Sequence, residues 1–211
     1  HLIQRNSYPT GRVVVELDRG QPSYTFDANS AWDHVALEEA AQAEVASARA
    51  VCFGTLFQRH TQSQATLRSL LKLVAPSSLR VLDVNRRVPY WNEEVLLSSL
   101  SCANVLKLND EELPIVWEVL DWEIACNPLE ETEKALKLLQ ERFELKAIAL
   151  TQGDRGASIL IGDQPWCTLE ATTTTVVDTV GAGDAFTAAF TLGLLEQMPA
   201  PEILAWACRV A

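Results

Sequence analysis

The chain has 211 residues, of which 48% are hydrophobic, with a formal net charge of −11 and no long basic run. That apolar content is enough for one sizeable core, so the sequence predicts a single domain over 1–211. Acidity without clustered Lys and Arg argues against a nucleic-acid surface. Apolar runs as short as Val13-Val14-Val15 argue against a membrane span, and no signal-peptide pattern opens the chain.

Taken in order, residues 11–27 alternate as two short strands, with Val13, Val15 and Leu17 on one face and Asp18-Arg19-Gly20-Gln21-Pro22 as the turn. Tyr24 and Phe26 continue the second strand, and residues 35–48 form an Ala- and Glu-rich helix. From Val51 the pattern becomes strand–helix–strand. Val51-Cys52-Phe53 is a short strand ending at Gly54, and Gln62–Val74 is an amphipathic helix broken by Pro76. The next strand is Arg80–Val84, followed by a helix near 92–100 and the strand Val105–Leu108. Helices near 111–122 and 129–142 precede the strand Ala147–Leu150. Such alternation predicts an α/β fold, a mostly parallel sheet with helices on both faces, whose ligands collect at the carboxyl ends of the strands. Ala157–Ile161 and Thr172–Val177 read as two further strands joined by a polar loop, and Ala200–Ala211 reads as a helix.

The five cysteines, Cys52, Cys102, Cys126, Cys167 and Cys208, are odd in number, widely spaced and without a Cys-x-x-Cys pair. They indicate neither a zinc site nor a disulfide framework and are expected to be mostly buried thiols in a reducing cytoplasm. His1, His34 and His60 are scattered and form no ligand cluster.

Polar clusters fall where the strands end: Asp83-Val84-Asn85-Arg86-Arg87, Asn109-Asp110-Glu111-Glu112, and Thr151-Gln152-Gly153-Asp154-Arg155-Gly156. Each has a plain structural reading: an Asp–Arg network pinning a loop, a helix capping box for Asn109 and Glu112, and an ordinary glycine turn. Lys107 faces one side of its strand and can simply sit at the sheet's rim. The most informative stretch is Asp178-Thr179-Val180-Gly181-Ala182-Gly183-Asp184, where a β-branched run ends in a glycine turn and a helix begins. Phe186, Ala189, Phe190 and Gly193 share one face of that helix. Unpaired amides and the helix dipole at such a junction favour an anion. Asp184 puts a carboxylate in that anion site, which makes sense if it must reach a hydroxyl about to attack a phosphate. The alternative is a tight turn in which Asp184 only favours the helix start.

This stretch resembles the C-terminal signature of the ribokinase/fructokinase-type sugar kinases, the PfkB carbohydrate kinase family. The resemblance runs from about Thr10 to Ala211. It implies a ribokinase-like fold with residues 10–27 as lid strands over the sugar, and a homodimer through that lid. It also implies transfer of the ATP γ-phosphoryl group to a sugar hydroxyl. Gly181, Ala182 and Gly183 would form the anion hole, and Asp184 would take the hydroxyl proton. Arg87 would lie near the substrate or phosphate. Asn109 and Glu112 would lie near the nucleotide phosphates and the Mg2+ shell, with Glu112 acting through water. Thr151 and Gly153 would border the nucleotide phosphates. Asp178 and the backbone of Val180 match where related enzymes hold a monovalent cation such as K+. Thr10–Val13 and Ala31-Trp32-Asp33 look like the fructokinase branch, with ribose, 2-keto-3-deoxygluconate and nucleosides left open. Family members begin with a strand carrying a sugar-binding aspartate and a Gly-Gly turn, which nothing before Thr10 supplies, so the chain is expected to be incomplete at both ends. A catalytically silent relative acting as a binding or regulatory subunit is the alternative. A dehydrogenase is disfavoured because no Gly-x-Gly-x-x-Gly follows an early strand.

Overall fold

Alternating Val13–Asp18 (β1) and Gln21–Phe26 (β2) pair antiparallel, as their period-two pattern requires, and they form a sheet of their own. The hairpin is therefore not an edge of the main sheet. The computed structural model describes residues 2–18, 21–122, 131–171 and 180–211.

The main sheet has six strands in the order Ala50–Gly54 (β3), Leu79–Asp83 (β4), Val105–Asn109 (β5), Ala147–Thr151 (β6), Ala157–Ile161 (β7) and Cys167–Leu169 (β8). β3 to β6 are parallel, and β7 and β8 add antiparallel. The helices are α1 (Glu39–Ser47), α2 (Thr61–Leu71), α3 (Glu93–Cys102), α4 (Glu112–Val119), α5 (Thr132–Phe143), α6 (Ala182–Leu195) and α7 (Ala200–Val210). Each parallel strand lies beside the one before it. Crossovers of one hand then carry the intervening helices to one face. There Leu71, Leu100, Leu113 and Leu136 pack with Leu82, Leu106, Leu108, Ile148 and Leu150.

The opposite face holds Val81, Val105, Ala147 and Ala149, covered by Phe186, Ala189 and Phe190 of α6 and by Ile203 and Leu204 of α7. The two-residue period splits each strand cleanly between these cores. Gly193 lets α6 and α7 close up, because a Cβ there would lie 2.7 Å from Ile203 Cγ1.

The structure differs from the sequence reading at several points. The partner of β7 is β8, directly after the polar loop; the expected strand Thr172–Val177 lies outside the described residues. The helix expected over 35–48 is shorter, and a 3-10 turn over Ala31–His34 precedes it. None of the four described cysteines is fully buried, and Cys52 is exposed on the edge strand. The reason is position: Cys52 sits on β3 with a neighbour on one side only. Cys126 lies outside the described residues.

Candidate active site

A carboxylate at the end of one strand and an amine at the same level of the next set up this site. Asp83 and Lys107 are register partners on β4 and β5, so their side chains leave the same face of the sheet, toward α6. Lys107 Nζ donates to Asp83 Oδ1 at 3.0 Å, with both side chains largely shielded from solvent. Lys107 is thus buried in the middle of the sheet and does not sit at its rim. Asp83 Oδ2 accepts from the Thr187 hydroxyl on α6 at 2.9 Å, and the same hydroxyl lies 2.9 Å from the Gly183 carbonyl. The network fixes the first turn of α6 above the ends of β4 and β5.

That first turn is built for close approach. Gly181 caps α6 with φ +85, a left-handed conformation that glycine adopts without strain. No side chain caps this helix end. The amides that open α6 therefore remain available, and the helix dipole adds positive potential there. A Cβ on Gly183 would lie 3.3 Å from Lys107 Nζ. Backbone amides, helix dipole and ammonium thus converge on one small volume. Asp184 stands in the first turn of α6 and is exposed.

The second cluster realises the capping box. Glu112 N–H donates to Asn109 Oδ1 at 2.8 Å, and Asn109 N–H donates to Glu112 Oε2 at 2.9 Å. Glu112 does more than cap: its Oε1 accepts the Arg86 N–H at 2.7 Å, joining the loop after β4 to the loop after β5. Burial pushes the Glu112 carboxyl above its ordinary range; the two amides and nearby Lys107 oppose the shift without cancelling it.

Thr151 pairs in register with Asn109, so both stand at the carboxyl edge of the sheet. Gly153 opens a 3-10 turn with φ +57. Gly156 closes that turn, and only glycine fits, because a Cβ would lie 2.0 Å from the Leu169 carbonyl oxygen. Arg155 reaches back to Asp110 and ties the turn to the loop after β5.

Arg87 turns the other way and stacks on Tyr24 of β2, with its guanidinium carbon 5.1 Å from the ring centre. It belongs to the hairpin side of the site. Arg86 stacks on Trp91 at 4.5 Å and meets Glu112 only through its backbone. Asn85 has φ +38, an uncommon conformation for a non-glycine residue. It lines a cavity of about 220 Å3 with Trp32, Gly54, Thr55, Leu56 and Phe57, at the carboxyl ends of β3 and β4. Asp178 lies outside the described residues, and Val180 is 75% exposed just before the turn. Among the described residues no three His, Cys, Asp or Glu side chains come together as a metal cage. No described helix is long and apolar enough to cross a membrane.

The sequence reading missed the role of Lys107 as the floor beneath Gly183. A charged residue inside the run Val105–Leu108 was the available signal.

The pfkB family carbohydrate kinase model matches residues 1–211. An uncharacterized sugar kinase of Pyrococcus horikoshii is 28% identical over 204 residues, covering 92% of this chain and 58% of that protein. A fructokinase of Salmonella typhimurium is 27% identical over 207 residues, covering 95% of this chain and 62% of the relative. The chain thus spans about three fifths of the length of these curated relatives. The Pyrococcus kinase solved in complex with ATP superposes with a TM-score of 0.75 at 25% identity, over 98% of this chain and 65% of that one. A Xylella fastidiosa fructokinase with bound ATP gives 0.76 at 18% identity, over 97% of this chain and 62% of that one, and shares the fold.

Proposed function

Since this chain belongs to the PfkB family of carbohydrate kinases, we propose that it transfers the γ-phosphoryl group of ATP to a sugar hydroxyl, as a fructokinase-like cytoplasmic enzyme. The observation that carries the reading is the first turn of α6: Gly181–Gly183 open to a ligand above the Lys107 ammonium, with Asp184 beside them.

Such a transfer needs positioning and charge stabilisation more than covalent help. The amides at Ala182 and Gly183 and the ammonium of Lys107 stabilise the oxygens of the phosphoryl group in flight. Asp83 holds Lys107 in place and fixes Thr187 on α6. Asp184 orients the acceptor hydroxyl. As the new oxygen–phosphorus bond forms and the bridging bond to ADP breaks, the hydroxyl proton passes to the Asp184 carboxylate. A carboxylate of ordinary pKa, about 3.9, is far too weak a base to ionise an alcohol beforehand, so the proton moves late.

Asn109, Glu112, Thr151 and Gly153 border the nucleotide phosphates in this reading. Each Glu112 oxygen already accepts one amide, which leaves lone pairs for a water but no free carboxylate for direct ligation. That donor set suits a hydrated magnesium ion, which ordinarily keeps several waters. Bound there, magnesium offsets the negative charge of the phosphates. Asp178 and the Val180 backbone are assigned, on sequence alone, to a monovalent cation such as K+.

Fructose is the leading acceptor, from the Thr10–Asp33 likeness, with Arg87 on the sugar side. The hairpin serves as the lid. Val13, Val14 and Val15 are 45–51% exposed on it, an apolar stripe that a second copy of the chain would cover in a homodimer. The test is ADP release by the full-length protein across a panel of sugars. Sugar-dependent release with fructose foremost supports the reading, and no sugar dependence with any member rejects it.

A further inference from the structure

Arg59 lies outside the residues assigned above, yet several elements meet on it. It follows the 3-10 turn Leu56–Gln58 after β3 and is 8% exposed. Its Nε and Nη2 donate to the two oxygens of Asp33 at 2.7 Å each, a side-on bidentate pair. Nη2 also donates to the Asp27 carbonyl at 2.6 Å. The guanidinium lies over two rings, Trp32 at 5.2 Å and Tyr90 at 5.1 Å.

These contacts converge on the roots of the hairpin. Asp27 directly follows β2. Trp32 packs against Gly11 just before β1, where a Cβ would lie 3.2 Å from the indole. The Tyr90 hydroxyl donates to the carbonyl of Phe26 at 3.1 Å. On the other side, Arg59 belongs to the loop between β3 and α2, and Tyr90 to the loop between β4 and α3 that also carries Asn85 and Arg87. The hairpin shares no strand pairing with the main sheet, so its orientation depends on these root contacts.

A buried ion pair is a poor way to add stability, but its fixed geometry is a good way to specify one arrangement. Arg59 Nη1 is buried without a hydrogen-bond partner among the described residues. Beside Arg59 lies a cavity of about 330 Å3, also lined by Asn29, His60 and Asn92. Apolar contacts alone would tolerate sliding; the bidentate pair holds the roots at one angle.

We infer that the Asp33–Arg59 pair is the pivot that sets the hairpin's angle over the sugar, which makes Arg59 a positioning residue for the acceptor and not for ATP. The inference rests on the hairpin being the lid.

The test uses full-length protein, wild type and Arg59→Lys, at a temperature where urea titration shows both fully folded. Lysine keeps the charge and loses the bidentate fork. The variant should raise the sugar KM about tenfold or more, raise ADP release without sugar, and leave the ATP KM within about twofold. Unchanged sugar KM, or sugar and ATP KM rising together, would overturn the pivot. A second readout needs no activity. Spin labels at Val14 and Leu73, in a background with the native cysteines replaced, should give a broader distance distribution in Arg59→Lys than in the parent, and equal distributions would also overturn it. A wild type that phosphorylates no sugar, with the distribution still broadened, rejects the kinase reading and leaves the pivot standing as a hairpin anchor.

Discussion

Lys107 Nζ lies 3.3 Å from the point where Gly183 would carry a Cβ. A buried ammonium and the open turn of a helix therefore face each other across a gap that no side chain fills. Gly183→Val would place a branched side chain in that gap and press it on the ammonium. Turnover should fall by at least about 10², the scale of losing a preorganised oxyanion contact. Far-ultraviolet circular dichroism should stay native. Normal kcat in the folded variant would move the phosphoryl site elsewhere.

The Asp83–Lys107 pair should show the asymmetry of buried charges. Lys107→Met leaves Asp83 without its cation and should cost about 3–5 kcal/mol of stability. Adding Asp83→Leu removes the orphaned charge and should recover part of that loss. Turnover should remain low in both. Urea unfolding of the two single variants and the double variant measures the coupling. Additive losses would mean that the pair does not interact as its 3.0 Å separation indicates.

Glu112 gives a pH signature whose sign is fixed. Its carboxyl sits above the ordinary value of 4.5, chiefly through burial. As pH falls from neutral through that raised value, the folded chain takes up a proton ahead of the unfolded chain. Glu112 therefore contributes most below about 4.5, and its contribution is lost as pH rises. Glu112→Gln cannot titrate, and its amide would turn a donor toward an amide of Asn109 or Arg86, costing about 1–3 kcal/mol. The stability advantage of wild type over Glu112→Gln should grow as pH is lowered from 7 toward 4.5. Urea midpoints across that range check it, and a flat difference would contradict the shift.

Much of the parallel sheet was legible because its strands are short apolar runs separated by helical periods. The α6 face was legible too: Phe186, Ala189, Phe190 and Gly193 are all buried. What stayed hidden was non-local. Asp83 and Lys107 are 24 residues apart, and only the β4–β5 register brings them to one face. Nothing in a single sequence ranks β5 as central, so Lys107 read as a rim residue. β8 has three residues, too few for a period to show. The capping and functional readings of Asn109 and Glu112 could not be separated by spacing, because one geometry serves both; only the Arg86 contact reveals that Glu112 also ties two loops. Arg59 gave no signal at all, since its partners Asp33, Asp27, Trp32 and Tyr90 come from three separate segments.

The central claim is that the first turn of α6 cradles a phosphoryl group while Asp184 steers its acceptor. The most direct measurement follows label from γ-phosphate-labelled ATP into sugar phosphate, in full-length wild type and Asp184→Asn. Wild type should form labelled sugar phosphate in step with ADP. The variant should bind ATP with unchanged affinity and form product at least about 10² more slowly. Product formed by Asp184→Asn at the wild-type rate would contradict the account.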